Sequence, residues 1–191
     1  KKTHFSRNLQ PDLIAVNGKD VQNKLINGGY SAAKLFSVEA LRYLFLDDYS
    51  KTNYGSSNSY KKNTLVIFTD YQTINLNLQL SILKKAIKMT NKKIKYIIKP
   101  HPANPLPKNH LYGTGIVESN NTIENLLDSC NVVFTSSSTS AAVEAYCAGK
   151  KIITFLDPNT LNFSPLRGYD DVSFISSAEE LAEILNNLEK F

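Results

Sequence analysis

The chain has 191 residues, 42% of them hydrophobic and 20% charged, the size and composition of one domain of ordinary size or of one large domain with an appendage. Its formal charge of +5 comes from 22 basic and 17 acidic residues, a mild excess that suits an anionic small molecule or an anionic membrane surface. No RRM-like, zinc-finger or helix-turn-helix signature accompanies that charge, which argues against nucleic acid, and no apolar run approaches the roughly 18 residues of a membrane-spanning helix.

In chain order, "PDLIAVN" (11–17) reads as a short strand and "KDVQNKLINGGY" (19–30) as a helix stopped by Gly28-Gly29. "SVEALRYLFL" (37–46) has helical spacing behind a capping Ser37. The polar stretch 47–63, rich in Ser, Asn and Tyr, reads as a flexible linker, easily nicked by proteases. From there the pattern is regular. Strands are expected at 64–70, 93–99, 115–119, 131–136, 151–155 and 172–176. Helices are expected at 75–89, 121–130, 138–149 and 177–191, with Asn121 and Ser177 as caps, each followed three residues later by Glu. Because the strands are continuous apolar runs alternating with helices, the fold class is α/β: a Rossmann-like parallel sheet with helices on both faces. The expected domains are 1–46, an end piece or linking segment, then 47–63, then the Rossmann-like domain 64–191. Cys130 and Cys147 form no metal-ligand cluster and read as small buried hydrophobes in a reducing, cytoplasmic compartment. The chain starts Lys-Lys without an initiator Met, so an upstream segment is expected.

In such a sheet ligands bind at the carboxyl ends of the strands, which directs attention to the residues just after each one. After 93–98 comes Lys99-Pro100-His101-Pro102. Proline on both sides of His101 fixes the backbone and holds the imidazole at a defined place, where it can donate to a phosphate, with Lys99 as a nearby cation. After 131–135 come Ser136, Ser137, Ser138, Thr139 and Ser140, which open a helix. Helix N-termini attract anions, and this run exceeds what one cap requires, so a phosphate cradle is expected there. Against that reading, the run lacks the lysine of a P-loop and the glycines of a dinucleotide fingerprint. Glu144 lies in the helix that follows and is either a solvated side chain or a group for ribose hydroxyls. The two strand ends are expected to face one crevice. Asp70 follows the first strand of the series and should line it too. No DxD pair stands on a strand-end loop and Asp170-Asp171 lacks partners, so no metal is expected.

"KPHP", followed by "SSSTSAAVEAYCAGKKIITF", resembles the donor-binding C-terminal half of bacterial GT-B glycosyltransferases of surface-polysaccharide synthesis. The likeness is to families with HP and SS motifs: polysialyltransferases, capsule Kdo transferases and CDP-glycerol glycerophosphotransferases. It covers roughly residues 64–190. It implies that His101 and Pro102 are the HP motif, Ser136 and Ser137 the SS motif, and Glu144 with Ala145 and Gly149 the E-A-x-x-x-G element. It further implies a nucleotide-sugar donor, CMP-linked, a glycan acceptor, and no other cofactor. The catalytic base would come from the acceptor half, and the enzyme would work at the inner face of the membrane. A CDP-alditol phosphotransferase, a GT-B-like epimerase and a non-catalytic nucleotide- or partner-binding module remain alternatives.

Overall fold

The computed structural model describes residues 11–39, 41–44, 46, 63–107 and 110–189. The linker expected at 47–63 lies outside the described residues except for Asn63. The chain divides into two units, Lys1–Asp48 and Tyr49–Phe191.

In the first unit β1 (Ile14–Val16) and β2 (Leu35–Ser37) pair in parallel, Ile14 with Leu35 and Val16 with Ser37. The connection is α1 (Lys19–Asn27), which ends at Gly28-Gly29, where Gly29 takes a φ of +95° that favours glycine. This corrects the start of the helix expected over 37–46. Ser37 is the last residue of a strand, and among the described residues a short 3-10 turn follows at Leu41–Tyr43, with Leu46 helical. Pairing with β1, extended by the bond from Val38 N–H to the Val16 carbonyl at 2.9 Å, overrides the helical spacing of the apolar residues.

The second unit is built on β3 (Thr64–Phe68), β4 (Lys95–Lys99), β5 (Ile116–Glu118), β6 (Val132–Ser136), β7 (Lys151–Phe155) and β8 (Val172–Ile175). All neighbours are parallel, in the order β5-β4-β3-β6-β7-β8. The helices are α2 (Thr73–Met89), α3 (Ile123–Asp128), α4 (Ala141–Cys147) and α5 (Ala178–Asn186). Side chains alternate across each strand, so one strand feeds two cores. Leu65, Ile67, Ile98 and Phe134 pack against Leu76, Leu80 and Leu83 of α2 and Leu181 and Leu185 of α5. Val66, Phe68, Ile97 and Val133 pack on the other face against Leu126 and Leu127 of α3 and Ala141, Ala142 and Ala145 of α4. Burial on both faces explains why the inner strands read as apolar runs.

The path of the chain places the site. From β3 it moves by α2 to β4 and on to β5 at one edge, then returns to β6 on the other side of β3 and moves outward to β8. The direction reverses between β3 and β6. A crevice opens at the carboxyl ends of strands at such a reversal.

Two local expectations need correction. The cap of α3 is Thr122, whose hydroxyl accepts the Asn125 N–H at 3.4 Å, so the helix starts later than the Asn121-Glu124 spacing implied. Cys130 is buried, but Cys147 is exposed, because α4 turns Ala141, Ala142, Glu144 and Ala145 inward. Partial desolvation and the Glu144 carboxylate push the Cys147 thiol pKa up.

The capping box of α5 forms as the sequence implies. Ser177 Oγ accepts the Glu180 N–H at 3.2 Å, and Glu180 accepts the Ser177 N–H at 3.1 Å. Ser177→Ala is expected to cost about 1 kcal/mol, read as a lowered thermal midpoint; an unchanged midpoint would remove the cap from the account. Bonds from the backbone N–H groups of Ser176 and Ser177 also hold the Glu180 carboxyl below its usual range. The small stabilisation from Glu180 is therefore full above the ordinary glutamate pKa of about 4.3, and it fades as pH falls through the lowered folded value.

Candidate functional site

The carboxyl end of β3 is the centre of the site. Phe68 is level with Lys99 of β4, and Ile67 with Phe134 of β6, so the loops after β4 and β6 leave the sheet on either side of Thr69-Asp70. Asp70 is 0% exposed. Its carboxylate accepts Ser136 Oγ–H and Ser138 Oγ–H, each at 2.5 Å, the Gln72 N–H at 2.7 Å and Asn75 Nδ2 at 3.2 Å. Among the described residues no cation pairs with it, and these four donors satisfy it.

The histidine loop is tied to the same point. His101 N–H donates to Thr69 Oγ1 at 2.8 Å, and Asn104 Nδ2 donates to the Asp70 carbonyl at 3.2 Å. Asn104 N–H closes the turn on the His101 carbonyl at 2.9 Å. Within it Nδ1 of His101 accepts the Ala103 N–H at 3.2 Å, so the neutral ring carries its proton on Nε2. Among the described residues nothing accepts from Nε2. The half-buried ring stands beside Tyr71, with centroids 6.1 Å apart and planes tilted by 56°. Pro102 is exposed on the turn. The stiff Pro-flanked segment thus fixes an imidazole with one N–H left to offer.

His101 and the serine run therefore share the carboxyl edge, but β3 lies between their strands. Two strand spacings, about 10 Å, separate β4 from β6. The serine run also differs from a simple cradle. Ser136 and Ser138 turn their hydroxyls inward to Asp70. Ser137 is half-buried, with no hydroxyl partner among the described residues. Thr139 is buried, and Ser140 stands at the cap position of α4 without a side-chain capping bond. Lys99 is not brought to the serine loop. Its ammonium donates to the Asn121 carbonyl at 2.6 Å, in the turn after β5. Glu144 is 6% exposed among the alanines of α4, so the solvated reading of this residue is corrected. Among the described residues no group of three His, Cys, Asp or Glu could hold a metal ion.

Sequence reasoning put Asp70 in the crevice but missed its role as anchor, and it passed over Thr69 and Asn104 altogether. The available signal was a Thr-Asp pair closing the most apolar strand of the large sheet.

No protein-family model matches the chain, and no curated protein does. Solved structures share its fold. Anabaena HepE in complex with UDP-glucose has a TM-score of 0.54 and 16% identity, covering 96% of this chain and 55% of that one. The complex of HepE with UDP and glucose gives 0.53 and 16%, covering 94% and 54%. A variant of the wall teichoic acid polymerase TagF gives 0.52 and 11%, covering 94% and 49%. The chain spans about half the length of these structures. The likeness is one of fold: an α/β unit with a six-stranded parallel sheet between helices, one half of a GT-B architecture.

Proposed function

We propose that the chain is the donor-binding half of a glycosyltransferase of surface-carbohydrate synthesis and holds the phosphate of a nucleotide-activated sugar in the crevice at β3 and β6. The observation that carries this reading is the convergence of the His101 loop and the serine loop on Thr69-Asp70, at the point where strand order reverses. HepE, of the same fold, is bound to UDP-glucose.

In this reading His101 donates Nε2–H to the leaving phosphate. The Ser137 hydroxyl and the N–H groups of the 137–140 turn supply the remaining donors. Donors fixed before the reaction stabilise the charge that develops on the leaving group without reorganising. Asp70 keeps the turn in place by holding Ser136 and Ser138. Its place in the helix behind the serine run assigns Glu144 to ribose hydroxyls, and the resemblance assigns cytidine to the base, while the HepE complexes make uridine its competitor. The base that activates the acceptor belongs to the other half of the enzyme.

Calorimetry with CMP, CDP, UDP and GDP tests the reading; binding of none of them would overturn it. His101→Ala is expected to weaken the best of these ligands by about 1.5–3 kcal/mol, the worth of a hydrogen bond to a charged group, with the thermal midpoint preserved. Equal affinity in variant and parent would remove His101 from the phosphate site. The resemblance of the HP and SS motifs to CDP-glycerol glycerophosphotransferases supports a second reading, transfer of a CDP-linked alditol phosphate. Preference for CDP-glycerol over CMP and UDP-glucose would select it.

A further inference from the structure

The charge of the chain is concentrated in one stretch. From Tyr71 to Val117 there is no Asp or Glu, and the same residues include eight lysines. The whole chain carries only +5, so everything outside the stretch is net acidic. In the fold the stretch is α2, β4 and the approach to β5, the β5 half of the large sheet.

Helix α2 shows how that charge is displayed. At 100° per residue, Leu76, Gln79, Leu80, Leu83 and Ala86 form the face against the sheet, and all are buried. On the outer side of the helix Lys84, Lys85 and Lys88 stand in the last turns beside Met89, while Ile74 and Leu78 stand in the first turns. Ile74 is 68% exposed, and Leu78 and Met89 are exposed as well. Among the described residues none of these three lysines has an acidic partner. A cleft of about 280 Å³ runs beside this face, between Lys84, Ile87 and Lys88 of α2 and the turn Tyr112–Thr114. The Tyr112 ring on its rim is 80% exposed. α2 ends ahead of the amino end of β4, and the turn leads directly into β5. The cleft thus lies at the amino edge of the sheet, opposite the edge that holds Asp70 and His101.

We propose that this outer face of α2, with the Tyr112 turn, docks on an anionic lipid bilayer. Spread, solvated lysines suit an extended anionic surface better than a single small ion, for which the cleft offers no buried polar group. The exposed Met89 side chain and Tyr112 ring beside the lysines gain nothing from a soluble polyanion, but at a headgroup layer they leave water. The absence of acids removes repulsion from the surface. The proposal does not depend on which nucleotide, if any, the opposite edge binds.

Vesicle co-sedimentation tests it. The chain is expected to bind vesicles that contain phosphatidylglycerol, to ignore pure phosphatidylcholine, and to be released by salt. Each lysine near the surface contributes about fivefold in partition, so Lys84→Glu, Lys85→Glu and Lys88→Glu together should reduce binding at least about 100-fold. Tyr112→Ala with Met89→Ser should reduce it several-fold without altering the charge. If the charge-reversed variant fails to fold, the triple Lys→Gln variant replaces it. Equal binding by the variants, equal binding to both lipids, or binding to soluble polyphosphate but not to vesicles would each overturn the proposal, the last in favour of a polyanion site.

Discussion

Replacing Asp70 with alanine is expected to destabilise the fold by about 3 kcal/mol and to weaken nucleotide binding at least about tenfold. Two serine hydroxyls, a backbone N–H and an asparagine amide end on this one buried carboxylate. Each buried donor left without its acceptor costs about 1–3 kcal/mol. Water admitted to the space recovers part of that sum, which keeps the expectation well below the total. Urea unfolding should show a lower midpoint at unchanged slope. Asp70→Asn retains the shape and one acceptor oxygen, so it should lose less. A cost below about 1 kcal/mol for the alanine variant would mean that the loops hold themselves, and Asp70 would no longer be the anchor of the site.

Phe134→Ala should cost more, about 3–5 kcal/mol. Phe134 is fully buried on β6, level with Ile67 of β3 and Ile153 of β7, in the core closed by α2 and α5. No single neighbour can fill the space, because both flanking strands are fixed by their own ladders. The same substitution loosens β6 two residues before Ser136, so nucleotide affinity should fall with stability. A variant with parental stability would mean that this core collapses onto the gap, contrary to the tight packing of a sheet buried on both faces.

The four inner strands of the larger unit, β3, β4, β6 and β7, were legible because burial on both faces writes an apolar run. The strand expected at 151–155 is found at Lys151–Phe155. Ser177 and Glu180 announced α5 because a capping box is local chemistry. Residues 37–46 misled because their apolar spacing is helical, while β2 is fixed by pairing with β1, a tertiary fact. At the site, His101 was legible from its two prolines, whose effect on the backbone is local. The inward turn of Ser136 and Ser138 was not, because it depends on a carboxylate 66 and 68 residues away in sequence. Glu144 was ambiguous for a related reason: helical spacing gives a face but not which face meets the sheet.

Those long separations have a consequence for how the protein is made. Asp70 and the His101 loop emerge from the ribosome well before the serines. Until β6 docks on β3, the aspartate has no hydroxyls to accept, and the central strand has only one neighbour. Synthesis must pass Ser138, and leave enough further chain to clear the exit tunnel, before the crevice can close. A nascent chain halted between β5 and β6 would hold half a sheet with its most apolar strand open along one edge. That arrested intermediate, rather than the finished protein, is the species most exposed to aggregation and to chaperone capture.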